Sequence, residues 1–246
     1  MSRSAREVAT TVAELFTGVF DQLAAWRAPI EQVIAASPEV RPAELDTTVA
    51  DLVMPRIVED DPLLVGAGFI ADGEIVRGRD VHFAWWLGPL DANPVLGSTT
   101  EPTRLDLTTR GYTEYLRDFR ALEWYAIPAT TRHAHVTGPY VDHLCTCDYI
   151  LTLTMPVHAR TGVGDDARMV GVVGADVAVR RLEQELLAVF LDAPEPLALV
   201  NADGRVVLST EPTLQVGQLA ATWAEEEPCP GTPFRVLVAP EASASK

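Results

Sequence analysis

The sequence predicts an α+β fold, with a long N-terminal helix packed on an antiparallel sheet and a small β-rich lobe at the C-terminal side. Three observations carry this reading. Residues 5–36 repeat apolar side chains every three or four positions, which is the period of an amphipathic helix. Most of the remaining chain consists of short apolar or alternating runs bounded by glycine, proline and aspartate, the marks of strands and turns. Strands and helices do not alternate regularly, so a doubly wound parallel sheet is excluded.

Taken in order, the first helix presents Val8, Val12, Leu15, Phe16, Val19, Phe20, Leu23, Trp26, Ile30, Val33 and Ile34 on one side. Pro29 is expected to kink it, and Ser37-Pro38 to end it, because a residue before proline avoids the helical region. A shorter helix is expected over 47–57, with Val49, Leu52, Val53 and Ile57 inward. The apolar run 63–71, closed by Asp72-Gly73, reads as a buried strand and a turn. Residues 82–87 read as a second strand, 90–103 as a loop, 112–126 as short helical turns and 132–137 as a strand. From 149 to 157 the chain alternates, with Leu151, Leu153 and Met155 on one face and Thr152 and Thr154 on the other. The run 169–177 is apolar on both faces and reads as a central strand; the glycine-bearing segment 161–167 joins it to the strand before. A helix follows over 179–191. Pro194 and Pro196 mark a boundary, Asn201-Ala-Asp-Gly204 separates two strands of a hairpin, and a last strand covers 234–238. The expected organisation is a domain over 1–192, a small lobe over 193–240 and a disordered tail over 241–246.

Composition narrows the classes of function. With 246 residues, 48% of them hydrophobic, the chain is long enough for one large domain or a domain with a small companion. A formal charge of -16 argues against direct nucleic-acid binding. No apolar run reaches the ~18–20 residues of a membrane span, and the first residues lack the apolar core of a signal peptide. The expectation is therefore a cytoplasmic protein, in keeping with an odd count of three cysteines and no disulfide framework.

Residues 112–176 hold the densest grouping of aromatic and ionisable side chains. Tyr115, Trp124, Tyr125 and Tyr140 offer rings, and Asp142 and Asp176 offer charge. Rings and carboxylates together suit an ammonium group, since π-faces attract the cation and carboxylates accept its hydrogen bonds. Trp124 and Tyr125 read equally well as the core of a helix end. Asp176, which ends an apolar strand, is either paired inside or an N-cap of the helix that follows. His133, His135, His143, Cys145 and Cys147 are metal-ligand types without the spacing of a structural zinc site, so no metal is expected. No nucleophile elbow, phosphate loop or zinc-protease motif is present, and no cofactor is expected.

The segment Asp118-Phe-Arg120-Ala-Leu-Glu123-Trp124-Tyr125-Ala-Ile-Pro-Ala129 resembles the Asp-x-Arg-x-Arg-x-Trp-Tyr-x-x-Ala segment of Cache domains, PAS-like small-molecule sensors. Pro139-Tyr140-Val-Asp142, the strand from Thr152 to Val157 and the closing Gly171-Val-Val-Gly-Ala-Asp176 are similar to the same family. The resemblance covers 5–191, and 197–238 look like a shortened second lobe of the double-Cache group. It implies ligand contacts from Tyr115, Trp124, Tyr125 and Asp176, with Asp142 as a further amine-facing carboxylate. Leu122 stands where the carboxylate-gripping arginine of amino-acid-binding members is expected, and Arg120 matches the other family arginine.

Leucine cannot hold an α-carboxylate. The expected ligand is accordingly a short amine or polyamine, with an amino acid as the alternative if Arg120 turns into the pocket. The expected protein is a soluble, stand-alone Cache-type sensor rather than an enzyme, working through a regulator or transporter partner. An enzyme acting on a small amine or carboxylate, and a homodimeric interaction module paired through its first helix, are the competing readings.

Overall fold

A computed structural model describes residues 3–37, 39–59, 62–93, 97–105, 118–143, 148–160, 167–220 and 223–239. Helix α1 spans Ala5–Ala36. Its start is fixed by a capping box, in which the Glu7 carboxylate accepts from the Ser4 backbone N–H at 2.8 Å and Ser4 Oγ accepts from the Glu7 N–H at 3.4 Å. Its apolar side, from Val8 through Phe16, Leu23 and Ile30 to Ile34, is buried. The stripe that offered itself for dimer pairing thus covers the protein's own sheets. Helix α2 spans Pro42–Ile57 and begins five residues before the expected start at Thr47. Pro42 sits in the first turn, where a missing N–H costs nothing, and Leu45, Val49, Val53 and Ile57 face inward.

Six strands form the main sheet: β1 (Leu64–Val76), β2 (Arg79–Leu87), β5 (Thr103–Arg104), β6 (His135–Val141), β7 (Tyr149–Ala159) and β8 (Arg168–Ala178), in the order β5-β2-β1-β8-β7-β6. Every neighbouring pair is antiparallel. The alternation along each strand divides the sheet into two faces. Ala67, Phe69, Leu151, Leu153, Val173, Ala175 and Val177 pack with α1 and α2 in the main core. Ile70, Phe83, Trp85 and Val172 point the other way into a smaller aromatic cluster. On the helix side, α2 is tied to the sheet by Asp46, which accepts from His82 Nε2 at 2.8 Å and Arg104 Nη2 at 2.9 Å. Arg79 donates to His82 Nδ1 at 2.9 Å, so the proton lies on Nε2. Burial lowers the imidazole pKa and keeps the ring neutral.

Several sequence expectations change here. Asp72-Gly73 is not the turn after β1. The strand continues to Val76 through a register slip, helped by Gly73 at φ +79°, and the chain reverses at Arg77-Gly78. The segment expected as a loop over 90–103 contains the hairpin β3 (Leu90–Asn93) and β4 (Gly97–Thr99), and β5 begins at Thr103. The helical region after Asp118 is a 3-10 turn, Phe119–Ala121, and then α3, Glu123–Thr131. Arg132 closes α3 in the left-handed region at φ 62°, which delays β6 to His135. Residues 161–166 of the expected joining segment and the expected tail, 241–246, lie outside the described residues.

Helix α4 (Val179–Leu191) leads to a second, four-stranded sheet: β9 (Leu197–Val200), β10 (Val206–Ser209), β11 (Glu225–Pro228) and β12 (Arg235–Val238), ordered β10-β9-β12-β11. Strand β11 was not legible, since Glu225-Glu-Glu-Pro228 has no apolar alternation. This sheet rests on α1, with the rings of Phe16 and Phe234 4.4 Å apart, and its Leu197, Leu199, Val207 and Val236 belong to the same core cluster as α1. Cys229 is a free, buried thiol whose pKa burial pushes up to about 12. Among the described residues, no helix is long and apolar enough to cross a membrane.

Strand β1 approaches β2 so closely that a Cβ on Gly68 would lie 2.3 Å from the Ala84 carbonyl oxygen and 2.6 Å from Trp85 Cα. Those are backbone atoms at the centre of a sheet and cannot swing aside. Gly68→Ala is therefore expected to destabilise the protein by about 1–3 kcal/mol or more. Urea unfolding measures this, and an unchanged midpoint would mean the two strands are less tightly placed than described.

Candidate ligand-binding site

A cavity of about 360 Å³ lies on the sheet face opposite α1 and α2. Its base is built by alternate residues of adjacent strands: Ile70 of β1, Phe83 and Trp85 of β2, Ile150 and Thr152 of β7, and Asp176 of β8. Leu122, Glu123 and Trp124 close it from the α3 side, and Thr137–Tyr140 and Asp142 from β6 and its end. Asn201, Asp203 and Arg205 complete the rim from the β9–β10 hairpin of the second sheet.

Two glycines create the room for this base. A Cβ on Gly66 would stand 3.1 Å from Trp85 Nε1 and 3.3 Å from Asp176 Oδ2, and one on Gly174 would stand 3.3 Å from the Trp85 ring. The indole therefore lies across β1 and β8 beside the Asp176 carboxylate. Thr152 Oγ1 donates to Asp176 Oδ1 at 2.6 Å, and Tyr140 Oη lies 2.6 Å from Thr152 Oγ1. Because the threonine proton is committed to the carboxylate, the tyrosine hydroxyl donates to the threonine. Thr137 also lines the cavity, and its Oγ1 is buried with no hydrogen-bond partner among the described residues. Asp176 is not the N-cap of α4. Ala178 holds that position, with no side-chain cap bond.

Asp176 is half-buried and lines the cavity. Desolvation raises its pKa, the Thr152 hydrogen bond lowers it, and the charge of Asp142 raises it further, leaving the group at about 7. A carboxyl poised there takes or gives up a proton near neutrality and gains most from a cation brought beside it.

Arg120 and Tyr125, expected as ligand contacts, are placed elsewhere. Arg120 Nε donates to Asp72 Oδ1 at 2.9 Å, its Nη2 donates to the same oxygen, and Nη2 also donates to Asp80 Oδ2 at 2.9 Å. The Tyr125 hydroxyl donates to the second Asp72 oxygen. Hydrogen bonds donated to Asp72 and Asp80 raise the Arg120 pKa, while burial and Asp72 raise that of Tyr125. Burial alone would raise Asp72, but its bonds to Arg120 and Tyr125 outweigh that and hold it below the ordinary carboxylate range. With these donors occupied, Arg120 does not turn into the cavity, and Leu122 lines it instead.

The same contacts position α3. Phe119 stacks on Trp124 with centroids 6.0 Å apart and meets Tyr125 edge-on at 5.0 Å, while Thr154 Oγ1 donates to the Trp124 carbonyl at 2.7 Å.

Of the residues singled out from the sequence, Trp124, Tyr140, Asp142 and Asp176 come together around the cavity, and Tyr115 lies outside the described residues. His135 Nε2 contacts Glu123 Oε1 at 3.0 Å, joining β6 to α3. Cys145 and Cys147 lie outside the described residues. Among the described residues no group of three His, Cys, Asp or Glu side chains is arranged for a metal ion. Sequence reasoning missed Phe83, Trp85, Thr137 and Thr152, although the period-two alternation of β2 and β7 put Phe83, Trp85 and Thr152 on one face. It also missed Asn201, Asp203 and Arg205, which read only as a hairpin turn and the start of a strand.

No protein-family model matches the chain, and no curated protein matches it. Solved structures share its fold, which is the α+β, Cache-like one. The extracellular domain ascribed to a histidine kinase, mmHK1S-Z3, superposes with a TM-score of 0.66 at 13% identity, covering 96% of this chain and 92% of that one. The ligand-binding domain of the Pseudomonas aeruginosa PAO1 amino-acid chemoreceptor PctC, in complex with GABA, gives 0.57 at 16% identity, with 94% of each chain covered. That of the Pseudomonas fluorescens chemoreceptor CtaA, in complex with L-valine, gives 0.55 at 19% identity, covering 97% and 95%.

Asp176 also sets a pH dependence of the ligand-free protein. The folded chain keeps this proton to about pH 7, whereas an unfolded chain releases it near 3.8. Between those values the folded state binds more protons, so this group's contribution to stability falls as pH rises from about 4 to 7. Asp176→Asn, which stays neutral, is expected to raise stability at pH 8 by about 2–4 kcal/mol over the parent and to flatten that slope. Thermal unfolding of both proteins across pH 4–8 checks it; parallel curves would contradict the placement of Asp176.

Proposed function

We propose that this chain is a Cache-type sensor or binding module for a small amine-bearing metabolite, held between aromatic rings and carboxylates. The observation that carries the reading is Asp176, which faces a cavity of ligand size with a hydroxyl as its hydrogen-bond partner and no cation paired to it among the described residues. A protonated amine supplies the missing charge. Trp85, Trp124 and Tyr140 offer π-faces, each worth about 0.5–2 kcal/mol to a cation in a dry site. Asp142, which also lines the cavity, adds a second carboxylate. Leu122 in the lining is in keeping with a ligand not gripped by an α-carboxylate from the α3 side. The compounds in the PctC and CtaA complexes, GABA and L-valine, both carry an amine. Sensing requires that occupancy be passed on. A regulator or transporter partner, or a second copy of the chain, would receive it.

Binding an ammonium group favours ionised Asp176 and so releases a proton below pH 7. Affinity for putrescine-like amines is expected to weaken by roughly tenfold per pH unit below about 7 and to level off above it. Asp176→Ala should abolish amine-induced thermal stabilisation while leaving a folded protein. Calorimetric titration with amines and with α-amino acids over this range tests both; pH-independent binding that survives the substitution would refute the assignment.

A further inference from the structure

The cavity acids face one cation. Arg205 is the sole Lys, Arg or His side chain among the described residues lining the cavity. It comes from the second sheet, at the foot of the β9–β10 hairpin. Among the described residues it has no carboxylate partner. Its Nη1 donates to the Gly217 carbonyl at 3.1 Å, leaving the remaining guanidinium donors for another acceptor.

The hairpin that carries it is held in place. Asn201 Oδ1 accepts from the backbone N–H groups of Asp203 at 3.0 Å and Arg205 at 2.8 Å. Its Nδ2 donates across to the Gly138 carbonyl at 2.8 Å, docking the turn on the β6 wall of the cavity. The backbone of Arg205 is thus fixed, and its exposed side chain is tethered by the bond to Gly217.

We infer that Arg205 is the anion-gripping residue of this cavity, and that the ligand is a zwitterion whose amine and carboxylate sit at opposite ends of a short chain, an ω-amino acid. This rests on the amine reading of Asp176 given above. The two poles are carried by different sheets: Asp176 by β8 in the base, Arg205 by the second sheet at the rim. An α-amino acid puts both charges on one carbon, and the side chain facing the cavity from the α3 side is Leu122. A diamine satisfies Asp176 but brings a second positive charge toward Arg205.

Isothermal titration of the full chain and of Arg205→Gln with γ-aminobutyrate, δ-aminovalerate, putrescine, cadaverine and L-valine tests this. The parent is expected to bind an ω-amino acid about tenfold or more tighter than the diamine of matching length. Arg205→Gln, a change at an exposed position, should weaken ω-amino-acid binding, leave diamine binding no weaker than in the parent, and so erase that difference. An unchanged ω-amino-acid affinity in the variant, or a parent that prefers diamines or L-valine, overturns the role of Arg205 while the amine site stands. A parent that binds none of the five compounds overturns the amine site itself, and this inference with it.

Discussion

The cavity side of this protein depends on one constraint, a carboxylate set near the middle of a six-stranded sheet. An unpaired buried charge is costly, and strand alternation leaves Asp176 no choice of face once Val173, Ala175 and Val177 are buried against the helices. The surroundings answer that cost in three ways. Thr152, backed by Tyr140, gives the carboxylate a donor. Glycines at 66 and 174 keep methyl groups out of the space it shares with Trp85. A pKa near 7 lets the group become neutral when nothing cationic is present. The arrangement is complete for a neutral acid and unfinished for an ionised one.

A second carboxylate does the opposite work. Asp72 sits on the same face where β1 slips register, and its two oxygens are consumed by Arg120 and Tyr125. It is held ionised rather than neutral, and it anchors the turn and helix that bring Leu122 and Trp124 over the cavity. The arginine and tyrosine that look like ligand contacts in the sequence therefore support residues that line the cavity. Two aspartates on one sheet face differ in role because one has an arginine and the other has a cavity.

The fold was legible where burial imposed a clear period. Helix α1 follows its three- and four-residue repeat, β8 its two-faced apolar run, and β7 its alternation of leucine and threonine. Legibility failed where local signals and pairing conflicted. Asp72-Gly73 carries turn residues yet continues as a strand, because a glycine with positive φ also serves a bulge. The hairpin of β3 and β4 lies within turn-forming composition, and β11 is an acidic run recruited by pairing with β12. In the site, Trp124, Tyr140, Asp142 and Asp176 were found by residue type and motif. Arg120 could not be placed without knowing that Asp72 and Asp80 stand opposite it, since a partner some 40 residues away leaves no local mark. Arg205 left none either, because its position depends on how a second sheet docks.

Helix α1 gives this architecture a mechanical property. It is about 48 Å long by its residue count, and it packs against β7 and β8 of one sheet and β11 and β12 of the other. Both sheets are thus fastened to a single stiff rod. A tilt of the second sheet relative to the first cannot be absorbed at a flexible joint between them; it must be taken up as sliding or rotation along the rod's buried stripe. The hairpin that forms the cavity rim belongs to the sheet that would tilt. A displacement of that sheet along the rod would carry Asn201, Asp203 and Arg205 with it and so reshape the mouth of the cavity.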